Sequence, residues 1–198
     1  MDNITVNKYR LIKEKDNMLY RIQALIDFTT SSGRTVMSGD MGGYIESEHN
    51  LSQIGTAWIF DEAAVHGEAR VYGSAEVAEK AVIKDKAVIR GCAFVSGHAI
   101  IRGAAVVEDW AEVRDKAVKG GNSYISGHAT VYDSANIDGN INVSEYASVY
   151  GKAKIRRNAD IRGKVQIYGN TSINGYSVEI KDNAGVNGNT EITGKIKI

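Results

Sequence analysis

From Gly55 to Asn174 the apolar residues recur every six positions, through twenty consecutive units with no insertion. The units run GTAWIF, DEAAVH, GEARVY, GSAEVA and so on to GKVQIY and GNTSIN. Position 3 is mostly Ala, and position 5 is Val or Ile in nineteen of the twenty. Position 1 is Gly, Asp, Glu or, once, Arg. A strand alternates its side chains, so positions 3 and 5 point to one side and positions 4 and 6 to the other. Small plus branched makes a narrow buried stripe. The mixed residues at positions 4 and 6 suit the outside. Gly, Asp and Asn at positions 1 and 2 carry turn chemistry. A helix would need apolar spacings of three and four, and none persists. So strict a period means one short unit stacked on itself, here an all-β coil of short strands and corners.

The period breaks in two places. Lys119 stands where a buried Val or Ile belongs, followed by Gly120-Gly121. Burying an ammonium is expensive, so a bulge or a swap with Val118 is expected to turn Lys119 outward. Near Gly175 the stretch GYSVEIK is one residue too long, and the hexads then resume as DNAGVN, GNTEIT, GKIKI. Ahead of the repeat, residues 1–54 read as a cap on a coil of residues 55–198. Tyr9 to Ile12 and Leu19 to Phe28 read as two strands around a Lys15-Asp16-Asn17 turn. Leu51 and Ile54 lead into the first coil. Gly42-Gly43 reads as a tight turn into the coil rather than a phosphate loop, since no helix follows. At the other end, Lys195 and Lys197 blunt an open strand edge.

Composition narrows the function classes. Lys plus Arg and Asp plus Glu both number 24 in 198 residues, so no global charge steers the chain to nucleic acid or a membrane. No apolar stretch is long enough to span a bilayer, and the first residues carry no apolar core of a secretory signal. The single Cys92 excludes an internal disulfide and fits a reducing compartment. A cytoplasmic location is therefore expected. Proline is absent, which suits long ladders of strand hydrogen bonds.

The hexad resembles that of the hexapeptide-repeat, left-handed parallel β-helix family, in which an aliphatic residue is followed four places later by a small one. Val71 to Ala75, Ile83 to Ala87 and Val149 to Ala153 match. The glycine usual just after the aliphatic residue is displaced by one place, as in Val71-Tyr72-Gly73. A more specific resemblance is to phage and prophage proteins of this class. It covers nearly the whole chain: LYRIQALIDF, then GDMGGYIESEHNLSQ, then W-I-F-D-x-A and V-Y-G-x-A units. Such proteins are often described as acyltransferases on fold analogy, which is weak support for an activity. The resemblance implies three hexads per coil, left-handed winding, about eight coils or ~38 Å of stacked strands, a homotrimer by family habit, and the cytoplasm of a bacterial host. A dimer stays open.

At 18 residues per coil the outer columns become readable. One face gathers Trp110, Glu112, Arg114, His128, Thr130, Tyr132, Tyr146, Tyr150 and Tyr168. Two readings stay open. The face is a tyrosine ladder that covers strands or self-associates, or it is a stacking platform for a ring-bearing ligand such as a nucleotide, with Arg114 for a phosphate. The other two faces are apolar in mid-chain, with Val82, Ile100 and Val118 on one and Val88, Val106 and Tyr124 on the next. Outward apolar residues on successive coils mark an interface. The run Lys152, Lys154, Arg156, Arg157, Arg162 and Lys164, opposed by Asp160, reads as a solvated surface divided among three faces.

The family's acyltransferases use a histidine as general base and hold coenzyme A between subunits. Among His49, His66, His98 and His128, only His98 and His128 sit in matching GHA corners, and their spacing puts them on different faces. Neither has a visible partner to orient it. No histidine pair has the spacing of zinc ligands, so no metal is expected. Cys92 reads as an inert corner residue. The expected function is that of a non-catalytic, oligomeric phage-type binding protein without a cofactor. It would bind a host protein or sequester a nucleotide-like ligand, with counter-defence as a setting. An acyltransferase using His98 or His128 and a structural phage protein are the alternatives.

Overall fold

The computed structural model describes residues 7–14 and 18–198. It is a parallel β-solenoid of about nine turns, in which each short strand pairs with the one 18 residues on. Val82 pairs with Ile100, and Ile100 with Val118. The hexads fall on three faces. The first carries Ala64–Val65, Val82–Ile83, Ile100–Ile101 and Val118–Gly121. The second carries Arg70–Val71, Val88–Ile89, Val106–Val107 and Tyr124–Ile125. The third is a separate eight-stranded sheet from Trp58–Ile59 to Gly185–Val186. Further along, Asn136–Val143, Lys154–Ile161, Ser172–Ile180 and Glu191–Lys197 run through the corner between the first two faces.

The corners explain position 1. Asp61, Glu79, Asp85, Asp109, Asp115, Asp133, Glu145 and Arg157 all have φ between 55° and 71°, the left-handed region. Glycine enters that region at no steric cost, and aspartate is among the residues that tolerate it. The aspartates add a bond between coils. Asp115 Oδ2 accepts from the Asp133 amide at 3.1 Å, and Asp133 Oδ2 accepts from the Gly151 amide at 3.0 Å. Asp61, Asp85 and Asp109 do the same for Glu79, Gly103 and Gly127. Where glycine occupies the corner, packing is tighter: a Cβ on Gly97 would lie 2.6 Å from the Asp115 nitrogen.

Positions 3 and 5 form the core, with Ala81, Ile83, Ala99 and Ile101 fully buried. Lys119 departs from expectation. It points inward, is 0 % exposed, and holds register between Ile101 and Ile137. A one-residue slip would have turned every neighbouring side chain to the wrong face. Backbone bonds from Arg102 N to Lys119 O and from Val118 N to Ala135 O prevent it. Nζ donates to the Val106 carbonyl. Burial pushes the amine well below its ordinary 10.5, against a smaller opposing pull from Glu108. Gly120 is likewise accommodated without a bulge. Its missing side chain lets Arg102 reach Asp138 at 3.4 Å across an intervening coil. The irregularity at Gly175 is a true insertion. Pairing shifts from Ile155 with Ile173 to Ala159 with Val178, and the extra residue, Tyr176, is 68 % exposed beneath Arg157.

The cap adds two hairpins. Tyr9–Lys13 pairs antiparallel with Tyr20–Ala24; the Lys15-Asp16-Asn17 turn lies outside the described residues. The second strand ends at Ala24 rather than reaching Phe28, one further ladder bond running from Leu25 N to Lys8 O. Phe28–Thr29 instead pairs with Thr35–Val36. Met41–Ile45 then pairs with Tyr20–Ala24 on one side and in parallel with Ala64–Val65 on the other. Leu51 also stacks on Val71, so the turns begin before Gly55. Ile54 does not join them and is 82 % exposed.

Two outcomes follow for stability. Asp133→Ala is expected to lower stability by about 1–2 kcal/mol for the left-handed corner, plus about 1 kcal/mol for the lost bond. Asp133→Gly should lose only the second part. Urea unfolding of both variants checks this; equal losses contradict the corner account. Lys119→Met is expected to add about 1–3 kcal/mol, since it removes a buried polar group from an isoleucine stack. The folded amine titrates below 10.5, so the unfolded chain binds more protons between the folded value and 10.5. Wild-type stability therefore rises with pH in that window, and the advantage of Lys119→Met should shrink as pH approaches 10.5. A pH-independent difference contradicts this.

Candidate functional site

The third face is built of columns 18 residues apart. Position 4 runs Trp58, Glu76, Phe94, Glu112, Thr130, Ser148, Gln166, each paired with the next. Position 6 carries Arg114, Tyr132, Tyr150 and Tyr168. The three tyrosine rings stack at 4.8 and 4.9 Å, 4° from parallel in each case. Arg114 lies 5.5 Å over Tyr132 and pairs with Glu112 at 3.3 Å. At position 2, His128 lies flat against Tyr146, with ring centres 5.2 Å apart. Coil spacing alone sets these distances: identical side chains at one position repeat at the strand separation, ~4.8 Å, which is also a ring-stacking distance. Burial pushes the Tyr132 and Tyr150 phenols upward, helped by the next tyrosine in the stack.

The residues expected on one face are therefore together. Trp110, Glu112, Arg114, His128, Thr130, Tyr132, Tyr146 and Tyr150 belong to three successive coils of the third face. Thr130 Oγ1 and Ser148 Oγ bond at 2.9 Å between the aromatic columns. The two candidate bases are apart. His98 sits at the corner before Ile100–Ile101 on the first face, and His128 before Thr130–Val131 on the third. Among the described residues no group of three or more His, Cys, Asp or Glu could hold a metal ion.

The cap contributes residues that sequence reasoning missed. Glu76 stands at an outward position yet is 1 % exposed, because the turn of the second hairpin covers it. Its carboxylate accepts from Ser31 Oγ at 3.0 Å, Ser32 N at 2.8 Å and Ser32 Oγ at 2.8 Å. These bonds fix the hairpin against the third face. Arg34, two residues on, stacks over Phe60 at 3.5 Å. Between this turn and Trp110 lies an open cleft of about 410 Å³, lined by Ser31, Ser32, Arg34, Glu76, Cys92, Phe94, Trp110 and Glu112. Trp110 is 55 % exposed, while Trp58 is buried under Tyr9 and Phe28. Phe94 and Trp110 give the cleft apolar walls; Arg34 and Glu112 give it charge. No local motif announces the covering turn, since its partner is 44 residues away. A second hollow of about 500 Å³ lies beside Glu48–Gln53 and Arg70–Tyr72, but there Arg70 Nε is already engaged with His49 Nε2 at 2.8 Å.

The apolar stripes lie where expected. Val82, Ile100 and Val118 form a half-buried column on the first face, and Val88, Val106 and Tyr124 form one on the second. The basic run is less divided than expected. Lys152, Lys154 and Arg156 occupy one hexad and share the first face, because alternate residues of a strand point the same way.

No family model matches this chain and no curated protein matches it, so the residues and their geometry carry the reading that follows.

Proposed function

We propose that this chain is a non-catalytic binding protein that holds a ring-bearing, anionic small molecule, such as a nucleotide, against its third face. The cleft between the Ser31–Arg34 turn and Trp110 carries this reading. It has an exposed indole and a phenyl ring for stacking and an arginine for negative charge; of its two carboxylates, Glu112 is paired with Arg114 and Glu76 is engaged by the serines of the turn. Its volume is in the range of small-molecule sites, roughly 300–1,000 Å³. The tyrosine columns continue the platform along the coils. The resemblance to phage and prophage proteins agrees with sequestration of a host signal or capture of a host protein, and with a bacterial cytoplasm. Acyl transfer would require a base oriented by a partner. His128 is instead stacked on Tyr146, and His98 lies on another face.

The second face, with Val88, Val106 and Tyr124, supports self-association. Its ions are already paired beside the stripe, Lys86 with Glu68 and Arg90 with Glu108, so a second copy meets little uncompensated charge. A trimer is the favoured state on the family resemblance.

The two tryptophans make the ligand reading measurable. Titration of ATP, AMP, cyclic AMP and acetyl-coenzyme A is expected to quench the exposed Trp110 and leave buried Trp58 little changed. Trp110→Ala should weaken the responding ligand by about 1–3 kcal/mol, the worth of one stacked base. Absence of any response, or an affinity unchanged in Trp110→Ala, rejects the site. Light scattering is expected to give a multiple of 21.5 kDa, reduced to a monomer by Val106→Glu. A persistent wild-type monomer rejects the interface.

A further inference from the structure

The larger hollow, about 500 Å³, lies at the cap end of the second face, between the Glu48–Gln53 segment and the strand Arg70–Val71. Its walls are fixed from behind. Asn50 is fully buried; its side chain accepts from the Glu46 and Ser47 amides at 3.1 and 2.9 Å and donates to the Gly67 and Ala69 carbonyls at 2.9 and 2.8 Å. Gln53 accepts from the Lys8 and Tyr9 amides and donates to the Tyr9 carbonyl. Leu51 lies beside Val71, which brings the Glu48 turn next to Arg70. Most charge around the hollow is already spent. Lys86 pairs with Glu68, Arg90 pairs with Glu108 and donates to the Tyr72 hydroxyl, and Glu46 accepts from the Gly67 amide. Two charges are not. Arg70 donates from Nε to His49 Nε2 at 2.8 Å, and among the described residues nothing engages its two terminal nitrogens. The Glu48 carboxylate lines the same hollow, and among the described residues it pairs neither with Arg70 nor with any other cation.

We infer that this hollow binds a free α-amino acid with an uncharged side chain, its carboxylate on the terminal nitrogens of Arg70 and its ammonium on Glu48. A guanidinium fork matches a carboxylate with two parallel hydrogen bonds, and with Nε held by His49 the two terminal nitrogens form that fork. His49 accepts at Nε2, so its ring is neutral there and adds no second positive charge. The hollow therefore offers one positive and one negative group. That balance selects the ligand. A simple carboxylate satisfies Arg70 but meets repulsion from Glu48, and a phosphate meets more. An amine satisfies Glu48 and leaves Arg70 unmatched. A zwitterion satisfies both, and a charged side chain would upset the balance. The hollow has the volume of a small-molecule site. Either charge contact alone is worth little at an exposed rim, so the two must form together, and preference for the intact zwitterion is the measurable sign. The inference rests on neither the aromatic cleft nor the self-association stripe.

Isothermal titration calorimetry on the full chain tests it. The probes are L-leucine, L-glutamine and L-phenylalanine, each with its N-acetyl derivative, which lacks the ammonium, and its amide, which lacks the carboxylate. The tightest of the three amino acids is expected to bind at least about tenfold more tightly than either of its derivatives. Glu48→Gln should abolish the preference over the N-acetyl form, and Arg70→Gln the preference over the amide. Trp110→Ala, on the third face, should leave the affinity unchanged. Circular dichroism checks that each variant folds. Glu48→Gln removes no hydrogen bond printed by the fold at that side chain, since Glu48 is exposed and unpaired among the described residues, so it carries the test if Arg70→Gln fails to fold. Four results overturn the inference: no saturable binding of any of the three amino acids up to about 10 mM, equal binding of an amino acid and its derivatives, a preference over the N-acetyl form that survives Glu48→Gln, or binding lost in Trp110→Ala.

Discussion

From Gly55 to Gly169 every sixth residue has a positive φ, between 55° and 92° except for Gly139 at 150°; these corners close the coil in 18 residues and set backbone amides opposite carbonyls of the next coil. The remaining features depend on it. It directs positions 3 and 5 inward, where alanine and a branched residue fill a narrow core. It restricts position 1 to glycine or to a residue that tolerates the left-handed region. The aspartates also bond to the amide above, which reinforces the register between coils. The same closure tolerates Lys119. Moving that side chain outward would break the register of the whole strand, so the amine is held inside as a local cost.

The fold and the columns were legible because a coil of constant length turns sequence spacing into spatial position. Residues 18 apart are neighbours, so Tyr132, Tyr150 and Tyr168 could be grouped from their numbers, and their rings do stack. The insertion at Tyr176 was legible for the same reason, as a break in that arithmetic. Three features were hidden. Lys119 was expected outward because the local cost of a buried ammonium was weighed without the cooperative cost of a register slip. The cover over Glu76 comes from a hairpin outside the repeat, where the period offers no rule. The gathering of Lys152, Lys154 and Arg156 on the first face was missed because the basic run was divided residue by residue among three faces, whereas one hexad keeps its outward residues on one face.

Outward positions carry no packing requirement beyond strand compatibility, so each face can specialise while the core stays uniform. The three faces share the Ala and Val/Ile stripe inside, yet outside one is aromatic and the other two carry apolar stripes, one of them beside the ion pairs Lys86–Glu68 and Arg90–Glu108. A solenoid therefore separates functions by angle around its axis rather than by domain. Proposals about the second and third faces stand or fall separately, because a change at an outward position on one leaves the backbone ladder of the other intact.

The cap links stability to the proposed ligand site. A solenoid has no large core to close, so its first coil must be covered. Tyr9 and Phe28 meet Trp58 edge-on, and the Lys8 ammonium donates to the Ala57 carbonyl at 2.9 Å, with burial lowering its pKa to about 8. That cover needs only the end of the coil. The Ser31–Arg34 turn reaches further, on to the outer surface of the third face, where Glu76 holds it by three hydrogen bonds. Covering Trp58 does not require this overhang, and it creates the one wall of the cleft that the repeat cannot supply. A uniform stack of strands presents flat faces, and flat faces bury little of a small ligand. Concavity here arises where a non-repeating segment crosses a repeating one, so the proposed ligand site lies at that junction rather than farther along the tyrosine columns.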